Sequence, residues 1–134
     1  MSGAAAALQA AALARVAGLA GLSGVYEAAP LQAVYPHATV EAGPETDWGH
    51  KSGGGAEVRL AVTIRDAGER PRRLLALLEA ARTALEADLA PEGWQLVTLS
   101  WLRTHWAREG KPPVGADTVW AGAVEFRARL LRAG

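Results

Sequence analysis

Between Glu57 and Arg65 the chain alternates without a break: Val58, Leu60, Val62 and Ile64 are apolar, with Glu57, Arg59, Ala61, Thr63 and Arg65 between them. A period of two over this length predicts a strand with one buried and one wet face. Asp66-Ala67-Gly68 then turns the chain into the strongest helical pattern, roughly Glu69 to Leu89. Pro71 falls in its first turn, where a missing N–H does no harm. Leu74, Leu78, Ala81, Leu85 and Leu89 form one apolar stripe, and Glu79, Arg82 and Glu86 can pair on the other face. A one-faced strand followed by a one-striped helix calls for a layered arrangement of sheet and helix.

The flanking segments extend that frame. An alanine-rich helix is expected from about Ala4 to Ala17, capped by Ser2, with Leu8, Ala12, Val16 and Leu19 as its stripe, until Gly18, Gly21 and Gly24 break it. Val25-Tyr26 reads as a short extended piece ended by Pro30, and a second follows Pro36, with Ala38 and Val40 facing one way. Glu41 to Gly55 reads as a long polar loop opened by Gly43-Pro44 and closed by Gly53-Gly54-Gly55. After Pro91-Glu92-Gly93, Trp94 to Trp106 reads as a strand and Lys111 to Gly115 as a loop. Thr118 to Leu130 reads as a long strand, with Trp120, Val124, Phe126 and Leu130 on one face and Glu125, Arg127 and Arg129 on the other. The expected fold is α+β, one domain over 1–134: a largely antiparallel sheet with the N-terminal and long central helices packed on one face.

Composition narrows function by exclusion. Fourteen basic residues balance fourteen acidic ones, so the overall basic excess of a nucleic-acid binder is missing, although Arg127, Arg129 and Arg132 make the C-terminus locally basic. With no cysteine there is no disulfide, thiolate metal site or cysteine nucleophile. Met1 to Leu22 is apolar, but it is mostly alanine, lacks a basic start and is interrupted by Arg15, which favours a soluble helix over a signal or membrane segment.

A search for catalytic chemistry finds little. His37, His50 and His105 lack ligand spacing. Asp47 and His50 are near enough to share a metal, but a glycine-rich loop is a poor preformed site. Lys51-Ser52 precedes its glycines and leads into a strand, the reverse of a phosphate loop. Gly21-Leu22-Ser23-Gly24 lacks the spacing of a nucleophile elbow, and Glu41, Glu45 and Asp47 read as solvated loop carboxylates. No cofactor is implied. Trp94, Trp101 and Trp120 read as core or sheet-face residues. Trp48, in a polar loop, stands out as an interface anchor, ahead of Trp106.

The order of these segments resembles a known family. The matching pieces are Val25-Tyr26-Glu27-Ala28-Ala29-Pro30, the entry at Pro36-His37, Asp47-Trp48-Gly49-His50-Lys51-Ser52 and the strand led by Glu57. They continue with Arg82 and Leu85, then Gly93-Trp94-Gln95-Leu96-Val97, and end with Gly122 and Phe126-Arg127. Together they resemble the tail-terminator (tail-completion) proteins of long-tailed phages and phage-derived gene transfer agents. His37 replaces the more usual aromatic, and Arg108-Glu109-Gly110-Lys111 only loosely echoes the family's polar turn.

The resemblance implies a non-enzymatic particle protein made in the bacterial cytoplasm and placed at the head–tail junction. There it would form a homo-oligomeric ring, a hexamer, that caps the tail tube protein and meets the head–tail connector protein. DNA would pass through the lumen without sequence-specific binding, and no membrane would be involved. Asp47, Trp48, His50, Lys51, Arg59, Arg127 and Arg129 are then the expected contacts to a neighbouring subunit or the tube. A small α+β ligand-binding or regulatory domain is the alternative, and it would show a concave apolar site with converging polar groups.

Overall fold

The structure is a computed structural model that describes residues 3–49 and 54–133. Helix α1 spans Ala4–Ala17 and strand β1 Gly24–Tyr26. Strands β2 (His37–Asp47) and β3 (Gly55–Ala67) follow, then helix α2 (Arg72–Leu85) and strands β4 (Trp94–Arg108) and β5 (Val119–Arg132). They form one five-stranded sheet in the order β1-β2-β3-β5-β4. All neighbouring pairs are antiparallel except β1 with β2, so the sheet is the expected largely antiparallel one.

Both helices supply the same core. Leu8, Ala12 and Val16 of α1, with Leu74, Leu78, Ala81 and Leu85 of α2, are buried against Val58, Leu60, Val62 and Ile64 of β3 and Val124, Phe126, Ala128 and Leu130 of β5. The period-two reading of β3 and the stripe of α2 therefore hold residue by residue. Leu89 is buried too, although α2 ends at Leu85 and Asp88 takes a positive φ of 44°. The helix is shorter than its pattern at both ends, and Pro71 sits at its N-cap and not in its first turn.

The long polar loop is a correction. Glu41 to Asp47 continue β2 in antiparallel register with β3, leaving only 48–54 as the connection. The turn signal at Gly43-Pro44 is real but lies inside the strand, where the register shifts between Ala42 and Glu45. Gly43 has φ +146°, a conformation that side chains disfavour, so glycine suits the bulge. The one extra residue reverses the face alternation. Glu41 pairs with Ala61 on the helix-free face, whereas Glu45 pairs with Val58 and Asp47 with Ala56 on the helix face. Glu41 is thus separated from the other two loop carboxylates by the sheet.

That reversal gives Glu45 a role at α1. The helix has Gly3 at its N-cap with no side-chain cap there, and the Ala5 N–H donates to Glu45 Oε1 at 2.9 Å. A carboxylate at this end also complements the helix dipole. The expected cap, Ser2, lies outside the described residues. At the other end Arg15 donates through Nη1 to the carbonyls of Ala84, at 2.7 Å, and Ala87, and through Nη2 to Asp88 O at 3.2 Å. The charge that interrupts the apolar N-terminus thereby caps one carbonyl of the last turn of α2 and two just past it.

Candidate assembly surfaces

No helix covers the other face of the sheet. On it, Glu57 is paired in register with Arg129, and Arg59 with Arg127. Two arginines directly opposite each other repel, so this pair needs an anion nearby. Glu57 partly supplies it: Arg129 Nε lies 3.1 Å and Arg127 Nε 3.9 Å from the same Glu57 oxygen. Arg127 Nε is buried without a hydrogen-bond acceptor, and the exposed Arg59 has no ion-pair partner among the described residues. The Arg129 guanidinium also lies 5.5 Å from the centre of the Trp48 ring. Trp48 is half-buried, and its N–H donates to Gly55 O at 3.1 Å.

Trp48, Arg59, Arg127 and Arg129 are therefore brought together, as one arginine-rich patch around a single indole. Asp47 is not part of it. It is exposed and pairs in register with Ala56, a core residue, on the opposite face. His50 and Lys51 lie outside the described residues. So does half of the Asp47–His50 metal reading; among the described residues no cluster of His, Cys, Asp or Glu has the makings of a metal site.

Further along the same face Glu125 accepts from Arg103 Nε at 2.6 Å and lies 2.8 Å from His105 Nε2. The hydrogen bond from Arg103 holds the Glu125 carboxyl below the usual carboxylate range, with the charges of Arg103 and His105 adding to it and desolvation opposing. Arg65 closes the row with Glu109, Nε to Oε2 at 3.1 Å. His37 is buried, with its ring stacked on Tyr35 at 5.4 Å and set edge-on to Tyr26 at 6.2 Å.

The surface that sequence reasoning missed is β4. It is an edge strand, and every residue from Trp101 to Arg108 is exposed. Trp101 retains 40% and Trp106 44% of its surface in solvent, so Trp101 is not a core residue; of the other strand tryptophans, Trp94 is buried and Trp120 half-buried. Five residues apart, Trp101 and Trp106 would face opposite ways in a regular strand. A register shift between Trp101 and Arg103 leaves Leu102 unpaired and brings both tryptophans to the helix side, opposite Phe126 and Gly122. There Arg82 stacks on Trp101 at 3.8 Å, and Trp106 lies 6.0 Å from Trp120. The odd spacing was the available signal, but a bulge is not visible in sequence.

The largest concavity described, about 740 Å³, is lined by Ala6, Ala7, Ala10 and Ala11 of α1 with Ala90, Glu92 and Gly93. Among its described lining residues Glu92 alone is ionisable. No helix among the described residues is long and apolar enough to cross a membrane.

Residues 6–131 match the family model described as tail completion protein gp17. The chain belongs to this family. It is also similar, at 30% identity and a TM-score of 0.74, to a chain in a solved structure described as the virion of a native gene transfer agent (GTA) particle. The likeness covers 97% of this chain and 99% of that one. Among curated protein sequences none matches. As a tail-completion family member the protein is a structural component of a phage-type tail, and its place is in a virion-like particle.

Proposed function

We propose that the protein forms a hexameric ring on the finished tail tube, halts tube growth and presents its other face to the head connector. The observation that carries this reading is the end-to-end likeness to a chain of a gene transfer agent virion. The exposed features support it. An arginine patch on a bare sheet face and an aromatic edge strand are features of contact surfaces, while the main concavity offers one carboxylate and no converging polar groups. In this reading the protein acts by shape and not by catalysis. Asp47, Trp48, His50, Lys51, Arg59, Arg127 and Arg129 contribute contacts to a neighbouring subunit or the tube, and DNA passes through the lumen unread.

Electron microscopy of intact particles tests it. A ring of this chain at the head–tail junction is the expected result, with overlong, headless tails when the chain is deleted. Particles complete without any copy at that junction would remove the proposal.

A further inference from the structure

A sheet with two edges has two places where another chain can join, and here the edges differ. Beyond the three residues that pair with β1, the β2 edge is closed by α1. Gln9 Nε2 donates to Val40 O at 2.6 Å, and Ala42 N–H donates to Gln9 Oε1 at 2.6 Å. One glutamine amide thus stands in for a neighbouring strand. Among the described residues no such device covers β4, whose outer backbone edge runs the 15 residues of the strand with Trp101, Leu102 and Trp106 exposed beside it. A long apolar edge left open invites pairing with another chain.

Of the other exposed large apolar residues, Val97 lies on β4 itself, Val114 in the β4–β5 connection and Leu75 on α2, while three are grouped at the opposite end of the sheet. Leu31 is fully exposed and Val34 68% exposed, with Tyr35 beside them, all in the 27–36 connection between β1 and β2. Four inter-strand spacings of about 4.8 Å put the two edge strands roughly 19 Å apart. The patches also differ in charge. Residues 16–49 contain Glu27, Glu41, Glu45 and Asp47 and no lysine or arginine, whereas residues 94–111 contain Arg103, Arg108 and Lys111 against Glu109.

We infer that the partner of the β4 edge is the β1-side connection of a second copy of this chain, Trp101, Leu102 and Trp106 meeting Leu31, Val34 and Tyr35. Charge selects this pairing over a two-fold one. Two β4 edges face to face would set one net-basic segment against another, whereas β4 against the β1 side sets it against an acidic one. A contact between two different patches is heterologous, and it repeats from copy to copy until it closes as a ring. The inference rests on the ring reading above and adds which surfaces make the ring.

The absence of native cysteine makes a cross-linking test clean. Particles are assembled with Leu31→Cys/Trp106→Cys chains and treated with a short bis-maleimide. A ladder on a denaturing gel, from dimer up to the closed ring, is expected, while each single-cysteine variant stays at one-chain mass. Because Trp106 packs on Trp120, Leu31→Cys/Arg108→Cys serves as the second pair and should give the same ladder. Dimers from Trp106→Cys or Arg108→Cys alone would show a two-fold interface and overturn the inference. So would uncross-linked chains of both pairs in particles that still carry a ring by microscopy, with the ring reading left standing. Particles lacking any ring of this chain would overturn both.

Discussion

At the scale of single residues, three side chains act through partners far away in sequence. Arg15 binds carbonyls in and just beyond the last turn of α2, some seventy positions later, so Arg15→Met keeps the aliphatic stem but leaves those acceptors open. A loss of about 1–3 kcal/mol is expected from the urea unfolding midpoint. Asp66 is 3% exposed and accepts from Arg73 Nε at 2.7 Å. That hydrogen bond holds its carboxyl below the usual value; the Ala67 N–H and the Arg73 charge assist, and burial opposes. The folded carboxyl is therefore a stronger acid than the unfolded one. Its contribution is complete above about pH 4, the ordinary carboxylate value, and is lost as pH falls through the folded pKa. Asp66→Asn should lower stability at pH 7 and flatten the acid limb of a stability–pH curve; an unchanged limb would assign acid sensitivity elsewhere. Trp48, half-buried over Arg129, belongs to the bare face and not to the core. Trp48→Ala should leave the melting temperature of the free chain nearly unchanged while particles acquire overlong or headless tails. Unfolding of the isolated chain would make it a folding residue instead.

At the scale of elements, the close approach of α2 to the sheet depends on Gly122. A Cβ there would lie 2.7 Å from Leu78 Cδ1, 2.9 Å from His105 O and 3.0 Å from Trp106 Cβ. Leu78 has rotamers to move to, but the β4 carbonyl is held by its ladder. Gly122→Val should cost about 1–3 kcal/mol by overpacking, read from chemical denaturation. The same change presses on the Trp106 edge, so a loss of assembly larger than the loss of folding would tie the two. The β2 bulge works in the other direction. By reversing the face alternation it sends Glu45 to α1 and keeps Glu41 on the bare face, so one irregularity both anchors the N-terminal helix and removes Glu41 from the apparent carboxylate cluster.

At the scale of the whole molecule, the core is made of residues other than those proposed for assembly. The core lies between the helices and one sheet face, while the patches proposed for assembly occupy the bare face and the two edges. Leu31 is fully exposed, so Leu31→Glu should change folding stability by no more than about 0.5 kcal/mol. It should nevertheless prevent a complete ring, as scored by microscopy of particles made with the variant. A variant with normal rings would remove Leu31 from the interface.

Local pattern alone determined the fold class, most of the strands, the stripe of α2 and the span of α1, because periodicity of 2 or 3.6 reports which face a segment buries. The run from Val58 to Ile64 allowed no other reading. The family was also legible, in the order of short motifs from Val25-Tyr26 to Phe126-Arg127. Tertiary structure decided whatever depended on a partner distant in sequence. Glu41 to Asp47 looked like a loop because turn residues mark bends, and only pairing with β3 turns such a bend into a bulge within a strand. Trp101 read as a core or sheet-face residue, and its exposure was not legible, because aromatic content does not say whether a strand is central or at an edge; that depends on strand order, a property of the assembled sheet.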